Sequence, residues 1–273
     1  MKAEILLTTA LYPVGHFVQW TVKDATESGD YLFTLDRSGG PDGPWENVMP
    51  ETASQYAVRD LWAATPASLT VVPANDLTLY ERHFYRLTCK TPSGLILKDI
   101  VESGDQRVTE PLNRYFRKNQ RDFRLSLKFN GTPLLVMKRR WWGVRCPRCF
   151  DLITKKVVRA DCSACWGTGF TGGYWTPTST YGRRTVNANN SAITPDQKMD
   201  SNGVRFWLPD FPTLERDDIL ISLKTQRRYR VDEQVDTELQ LVGVHQILTC
   251  QEIPKDHLLY RMKVQPDTVE PLY

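Results

Sequence analysis

Four cysteines in the middle of the chain have the spacing of metal ligands. They form two Cys-x2-Cys pairs, Cys146 with Cys149 and Cys162 with Cys165, with twelve residues between the pairs. Each pair places two thiolates on one tight turn, and two such turns can surround a tetrahedral Zn2+ ion at Zn–S distances of about 2.3 Å. Because all four ligands are cysteines, no coordination position is left for water or substrate. The spacing therefore predicts a structural zinc site.

Three other interpretations of these cysteines stay open. Two disulfides would require an oxidising compartment, and nothing in the sequence indicates secretion. A redox-active Cys-x-x-Cys usually lies in a βαβ context, which neither pair has. Iron usually takes a different ligand pattern. The two remaining cysteines, Cys89 and Cys250, lie in strand-like stretches, and we expect both to be small buried side chains.

Basic residues around the cysteine segment form the second group that could do chemistry. Residues 106–200 carry 18 Lys and Arg against 6 Asp and Glu, a net charge of +12, whereas residues 1–105 and 201–273 are net acidic. Such a segment faces nucleic acid, an acidic protein surface or solvent. The candidate contact residues are Arg114, Arg117, Lys118, Arg121, Arg124, Lys138, Arg139 and Arg140.

Residues that could support catalysis do not form a recognisable group. The histidines, His16, His83, His245 and His257, are scattered, and none lies in a nucleophile motif with Ser or Cys. The sequence has neither a Walker A motif nor a dinucleotide-binding glycine turn. We therefore expect a non-enzymatic protein without a small-molecule substrate.

The length and composition of the chain are those of an ordinary globular protein, whose strands and helices would position these residues. The chain has 273 residues, of which 41% are hydrophobic and 25% charged, enough for one large or two ordinary domains. No apolar run approaches the roughly 20 residues needed to cross a bilayer, which argues against an integral membrane protein. The first residues, with an apolar stretch broken by Thr8 and Thr9, make a poor signal peptide.

Short strands separated by turns are predicted for residues 1–105. The strands fall at residues 16–22, 31–35, 55–58, 69–72, 84–89 and 95–97, a spacing typical of a β-sandwich. Tyr31-x-Phe33, Gly43-Pro44-Trp45 and Phe84-Tyr85-Arg86-Leu87 together resemble a fibronectin type III domain. The resemblance implies the sandwich fold, and an adhesive role does not follow from the fold.

A basic helix and a zinc knuckle are predicted for residues 106–178. Helical periodicity after a linker at residues 103–110 places an apolar face opposite a basic one, and residues 134–137 then read as a buried strand. The apolar face holds Leu112, Tyr115, Phe116, Phe123 and Leu127, and the basic face holds Arg114, Arg117, Lys118, Arg121 and Arg124.

The sequence around the cysteines resembles two known patterns. Cys162-x-x-Cys165-x-Gly167-x-Gly169 is similar to the zinc repeat of DnaJ-type co-chaperones, but there is only one complete repeat and no His-Pro-Asp motif. A longer run from Leu125 to Pro177, which includes Lys138-Arg139-Arg140 and both cysteine pairs, resembles a zinc-knuckle segment in structural proteins of tailed bacteriophages. This second resemblance implies a virion protein made in the cytoplasm of the host bacterium.

The last part of the chain is predicted to hold an extended loop or arm, residues 179–203, and a small β-barrel, residues 204–273. Strand-like stretches lie at residues 218–221, 229–232, 240–250 and 258–264, and a barrel would remove their edges. Asp217-Asp218-Ile219, Arg228-Tyr229-Arg230-Val231 and the final Tyr260-x-Met262 resemble, in this order, the head-closure barrels of phage necks. This resemblance implies a ring protein between portal and tail.

Taken together, the sequence predicts a mainly β, multi-domain, non-enzymatic component of a tailed-phage neck or connector. We expect a homo-oligomeric ring that contacts other virion proteins, namely the portal or adaptor and tail or neck neighbours. The alternative is a zinc-dependent nucleic-acid-binding protein that uses the helix at residues 114–124 and residues 138–140. Contact of the basic residues with DNA in the channel and contact with acidic protein are both open at this point, and a co-chaperone zinc domain is a third hypothesis.

Overall fold

The computed structural model describes residues 1–11, 15–53, 55–60, 83–103, 110–151, 153–186, 203–239 and 242–264. Most of these residues lie in strands, which confirms the predicted mainly β fold class. None of the helices in the described part of the chain is long and apolar enough to cross a membrane.

The chain divides into two compact units. One unit comprises Met1–Thr109, Arg140–Arg159 and Gly169–Thr171, and the other comprises Glu110–Arg139, Ala160–Thr168 and Gly172–Tyr273.

Fifteen strands and one α-helix are present in the described ranges. In chain order they are β1 (Lys2–Leu11), β2 (Gly15–Lys23), β3 (Leu32–Ser38), β4 (Glu46–Thr52), β5 (Ala57–Asp60), β6 (Phe84–Lys90), β7 (Ile96–Glu102), α1 (Glu110–Asn130), β8 (Thr132–Met137), β9 (Phe150–Asp151), β10 (Lys156–Val157), β11 (Thr178–Val186), β12 (Gly203–Pro209), β13 (Ile219–Ser222), β14 (Arg228–Leu239) and β15 (Val242–Glu252).

The first unit contains two antiparallel sheets, with strand orders β1-β2-β5 and β4-β3-β6-β7. Buried and less buried residues alternate along β3 and β6, as expected for strands with one face on a core. The ring of Trp20 on β2 lies 5.7 Å from that of Phe33 on β3, so the two sheets pack face to face. The N-terminal segment is the strand β1, paired with β2 along its length. The strand predicted at residues 69–72 lies outside the described residues.

A buried polar chain joins the two sheets of this sandwich. The Tyr85 hydroxyl donates to Asp60 Oδ2 at 2.8 Å and lies 2.9 Å from His16 Nδ1. Arg37 Nη1 lies 2.9 Å from both carboxylate oxygens of Asp60. Because these polar groups have partners, they can be buried between the sheets without a large desolvation penalty.

The second unit is built on a closed barrel with strand order β11-β12-β15-β14-β13-β8. Its interior is filled by apolar side chains, among them Leu134, Phe206 and Leu248. β8 and β13 are buried on both faces, because their outward residues, such as Leu135 and Ile219, form a second apolar cluster outside the barrel. This double burial explains why both strands are continuous apolar runs in the sequence.

The barrel draws on more of the chain than residues 204–273. β8 lies in the range assigned to the helix and zinc knuckle, and β11 lies mostly in the range assigned to a loop or arm, whose residues 187–202 are outside the described residues. β8 and β11 pair with each other and complete the barrel between β13 and β12. They cover edges that would otherwise be exposed, and this long-range pairing has no local sequence signal.

The strand predicted at residues 258–264 is wrong, because Leu258–Arg261 form a 3₁₀ turn. Arg228 holds this turn by donating to the carbonyl oxygens of Leu259 and, at 2.8 Å, Met262. Leu259, Tyr260 and Met262 pack on the outer apolar cluster of the barrel. The apolar alternation that suggested a strand therefore reflects packing of a turn.

The predicted division of α1 into an apolar and a basic face is only partly correct. Leu127 is buried, and Phe123 stacks on His245, as expected for the apolar face. Tyr115, however, is 55% exposed, and Arg124 from the predicted basic face is buried. The reason is an acidic partner for Arg124 on the barrel, which is described below.

Candidate metal centre

The first cysteine pair lies on a turn held by main-chain hydrogen bonds. The amide of Phe150 donates to the Cys146 carbonyl at 3.1 Å, and the amide of Val158 donates to the Cys149 carbonyl at 2.8 Å. The amide of Cys146 itself donates to the Gly169 carbonyl at 2.9 Å. The short hairpin β9–β10 follows this turn. The two thiols thus project from a locally closed loop.

The second cysteine pair lies on a turn that depends on glycine. The amides of Trp166 and Thr168 donate to the carbonyls of Cys162 and Cys165 at 2.8 and 3.0 Å. Gly167 follows with φ of +81°, and a Cβ at this position would lie 2.9 Å from the carbonyl oxygen of Ala160. Glycine is therefore required here both by the backbone conformation and by the close approach of the chain.

The four cysteines come together. The Sγ atoms of Cys146, Cys149, Cys162 and Cys165 all lie within 4.8 Å of one another, and all four residues are buried. None of the six cysteines is in a disulfide. Four sulfurs at this spacing are compatible with one tetrahedral metal ion, since the sulfurs of a tetrahedron with bonds of about 2.3 Å are roughly 3.8 Å apart.

The chemistry of this donor set is that of a closed site. Four thiolates can satisfy a four-coordinate ion completely, so such an ion would have no position for a substrate or a reactive water molecule. Cys162 is the most exposed of the four, and only 8% of its surface is accessible. The geometry therefore fits a metal with a structural role.

Arg145 precedes the first cysteine and was not singled out by the sequence pattern. Its guanidinium lies over the rings of Phe150 and Phe170, 4.5 and 4.1 Å from their centroids. Burial lowers its pKa from the usual range. Its amide donates to Ser28 Oγ at 3.0 Å. A Cys preceded by Arg is a weak signal, since the aromatic partners become neighbours only after the chain folds.

Three of the predicted basic contact residues have carboxylate partners in their own unit. Arg124 binds Asp210 through contacts of 2.7, 2.8 and 3.0 Å. Lys138 donates to the Thr213 carbonyl at 2.7 Å and lies 3.4 Å from Asp218. Arg139 pairs with Asp217 at 2.6 Å.

These three side chains therefore have acidic partners within the chain itself. No local pattern could have shown this. Arg124 and Asp210 are 86 residues apart in the sequence, and the barrel brings them together.

The other predicted basic residues do not share one environment. Lys118 is exposed, and Arg121 is also exposed and lies 3.5 Å from Asp122. Burial lowers the pKa of Arg140, although the nearby Asp30 opposes this shift. The side chains of Arg114 and Arg117 lie outside the described residues. The six predicted residues whose side chains the structure describes thus do not share one basic surface.

The remaining two cysteines are buried, as predicted. Cys89 lies in the sandwich and Cys250 in the barrel, and neither is exposed to solvent. Burial raises the pKa of Cys89 to about 12, and it also raises the pKa of Cys250. Both thiols are therefore protonated at neutral pH and inert, as the sequence suggested.

Comparison with known proteins yields little similarity. No protein-family model matches the chain, and no curated protein matches it. Two crystal structures of pectate lyase Pel3 from Pectobacterium carotovorum match with 12% and 14% sequence identity and TM-scores of 0.28 and 0.25. In both cases the match covers 40% of this chain and 28% of the lyase. Similarity this low carries no argument about fold or function.

Proposed function

We propose that this chain is a non-enzymatic structural protein whose central segment is held together by one zinc ion bound to Cys146, Cys149, Cys162 and Cys165. The observation that carries the proposal is the convergence of four buried sulfurs within 4.8 Å. Thiolate ligands in a tetrahedral S4 set are the usual coordination of structural zinc. The soft sulfur donors also disfavour magnesium and calcium, which take oxygen ligands.

We further propose that the protein is a component of a tailed-phage virion, in the neck or connector, where it forms a ring. Support comes from the resemblance carried by residues 125–177 and from the architecture around it. The three- and four-stranded sheets of the first unit agree with a fibronectin type III-like sandwich. The closed six-stranded barrel of the second unit agrees with a head-closure barrel. Portal, adaptor or tail proteins would be its neighbours.

Metal analysis of the purified protein tests the zinc site. We expect about one zinc per chain by inductively coupled plasma mass spectrometry, and loss of that zinc in Cys165→Ser. Cys250→Ala serves as the matched control, because it removes a buried cysteine outside the cluster and should retain the metal. Protein without stoichiometric metal, or metal retained by Cys165→Ser, would contradict the proposal.

Localisation in the intact particle tests the virion proposal. A cryo-EM map of a phage that encodes this chain should place it in a ring between head and tail. Native mass spectrometry of the isolated protein should show a closed oligomer. Absence of the chain from purified particles would contradict the virion role, while leaving the zinc site intact as a separate result.

A further inference from the structure

The hairpin that follows the first cysteine pair ends in an exposed tip. β9 and β10 pair through Phe150 with Val157 and through Asp151 with Lys156, so the chain turns between Asp151 and Lys156. Every residue from 153 to 160 is exposed. These residues are therefore available to a partner.

Positive charge is concentrated in residues 148–160, which we call the basic hairpin. It carries four Lys and Arg against one acidic residue, Asp151, and the balance is still four to two when the adjacent Asp161 is counted. The four are Arg148, Lys155, Lys156 and Arg159. Among the described residues, no carboxylate forms an ion pair with Arg148, Lys155 or Lys156. Their charges therefore act on the surroundings, unlike those of Arg124 and Arg139, whose partners lie within the chain.

The base of the basic hairpin is fixed by the cysteine turn and by Gly169. The amide of Val158 donates to the Cys149 carbonyl at 2.8 Å. A Cβ on Gly169 would lie 2.7 Å from Val157 Cγ2 and 3.7 Å from a ring carbon of Phe150, so one face of the hairpin lies directly against the backbone at Gly169. A partner can therefore reach only the other face and the tip.

Asp151 fixes the tip itself. Its Oδ1 accepts a hydrogen bond from the Ile153 amide at 2.8 Å, and its Oδ2 accepts one from the Thr154 hydroxyl at 2.8 Å. A bond from an Asp side chain to the backbone two residues on is typical of tight turns. Because base and tip are both fixed, binding a partner there orders less of the chain and costs less free energy.

We propose that the basic hairpin binds double-stranded DNA through contacts with its phosphates. Arg and Lys side chains supply the sequence-independent, electrostatic part of DNA binding, because they release counterions from the duplex. A two-stranded ribbon is also narrow enough to enter the major groove, which is about 12 Å wide. The inference goes beyond the structural role proposed above and does not depend on a place for the chain in a virion.

The composition of the tip favours a duplex over other anionic partners. None of residues 153–160 is aromatic. Protein interfaces are often centred on aromatic anchors, and single-stranded nucleic acid is held by aromatic side chains that stack on its bases. Phosphate contacts need only cations, and an aliphatic side chain such as that of Ile153, which is 92% exposed, can contact a thymine methyl group. Double-stranded DNA is therefore the partner that the exposed groups match best.

The test measures binding of a labelled DNA duplex of about 20 base pairs by fluorescence anisotropy, with the full-length protein and its metal, between about 50 and 200 mM NaCl. Lys155→Gln with Lys156→Gln removes two charges from the basic hairpin, and Arg148→Gln is a separate single variant. Lys224→Gln with Lys255→Gln is the matched control, because it removes the same charge from two other exposed lysines. The zinc content of every sample is measured in parallel.

For the wild type and the control, we expect the logarithm of the binding constant to fall with the logarithm of the salt concentration. The slope should be about −3, which corresponds to three or four phosphate contacts. Lys155→Gln with Lys156→Gln should make this slope shallower by about 2 and should weaken binding by about tenfold or more at the lowest salt concentration. Arg148→Gln should make the slope shallower by about 1.

A zinc-loaded wild type that does not bind the duplex would overturn the inference while the metal centre stands. A wild type without zinc would overturn the metal centre, whatever its affinity for DNA. Equal slopes for the hairpin variants and the control would assign the binding to overall charge and overturn the inference. Poly-L-glutamate bound as tightly as the duplex, at equal concentrations of negative charge, would also overturn it, because the basic hairpin would then recognise acidic protein.

Discussion

The barrel and the cysteine segment of this protein are held together in different ways. The barrel buries a continuous apolar core, and residues such as Leu134, Leu220 and Leu248 are completely inaccessible. In the described residues around the cysteines, the strands are the two-residue β9 and β10, and Ile153 in their connection is 92% exposed. Where the sequence has no alternating apolar residues to bury, the proposed zinc ion on four thiols would take the place of a core.

The barrel and the cysteine segment differ in how their folding free energy is distributed. Burial of apolar surface stabilises the barrel in proportion to its area, and loss of one side chain removes only part of the total. A structural metal, in contrast, supplies most of its free energy through one ion. We therefore expect loss of the metal to unfold the whole cysteine segment. Loss of one core side chain should lower the free energy of unfolding of the barrel only in part.

The largest expected effect is that of Cys165→Ser. Loss of the ion should remove on the order of 10 kcal/mol of metal-linked folding free energy and unfold the cysteine segment. The barrel should keep its own urea transition, which circular dichroism follows. Near-ultraviolet circular dichroism follows the segment through Trp166, which adjoins Cys165. If the near-ultraviolet spectrum of the variant matches that of the wild type, the structure of the cysteine segment does not depend on the metal.

The next largest effect is expected for Asp210→Ala in the second unit. The change leaves Arg124 buried without its carboxylate, and breaking such a pair costs about 3–5 kcal/mol of unfolding free energy. Urea denaturation measures the loss, and zinc content should not change. The double variant Arg124→Met, Asp210→Leu is the control, and it should recover most of the stability. If the double variant is as unstable as Asp210→Ala, the buried charge is not the cause.

Leu134→Ala tests the gradual response of the barrel core. Leu134 is fully buried in the apolar interior, and the cavity should cost about 2–5 kcal/mol of unfolding free energy. The urea midpoint should fall while metal content stays at the wild-type value. Loss of metal from this variant would show that the barrel and the cysteine segment do not respond separately.

Gly167→Ala probes the second cysteine turn with a smaller change. Alanine would adopt an unfavourable positive φ and would lie 2.9 Å from the Ala160 carbonyl oxygen, so we expect a cost of about 1–3 kcal/mol and weaker metal retention against a chelator. Gly143→Ala is the control, because Gly143 also has positive φ but no atom near its Cβ position. Equal chelator sensitivity in both variants would contradict a steric role for Gly167.

The smallest effect concerns His245, which lies between the rings of Phe123 and Trp207. Burial lowers its pKa, and the nearby Asp210 opposes the shift only in part. The unfolded chain therefore takes up this proton at a higher pH, near 6.5, than the folded chain does. Stability of the second unit is complete above that pH and falls as the pH decreases towards the folded pKa.

His245→Phe should keep the aromatic stack and reduce this pH dependence. Urea midpoints at about pH 7.5 and about pH 5.5 measure the change for the wild type and the variant. The cysteine segment provides the contrast, since His245→Phe should not alter its metal content. If the urea midpoint of the variant changes with pH as much as that of the wild type, other groups cause the pH dependence.

Local patterns were sufficient to predict several parts of the structure. The spacing of the four cysteines predicted their convergence, because two tight turns constrain the sulfurs wherever they occur. The aromatic and β-branched runs at Gly15–Lys23 and Phe84–Lys90 predicted strands, because alternation with period two is a property of consecutive residues. The predicted burial of Cys89 and Cys250 followed from the same local patterns.

Other parts could not be predicted from local patterns. The barrel takes β8 and β11 from segments that were assigned elsewhere, and the 3₁₀ turn at Leu258–Arg261 has the alternation of a strand. Arg124 has the periodicity of a surface residue, yet it is buried because Asp210 lies opposite it. In each case the deciding contact joins residues far apart in the sequence.

The amino-acid sequence by itself determined the mainly β character of the chain, the cysteine turns and the uneven distribution of charge. Only the tertiary structure decided which strands close the barrel, which basic residues are neutralised within the chain and which face of α1 stays open. The physical reason is how far apart in the sequence the residues that set each feature lie. Strand periodicity and turn geometry are set by neighbouring residues, whereas barrel closure and burial of a charge depend on pairing that only the folded chain provides.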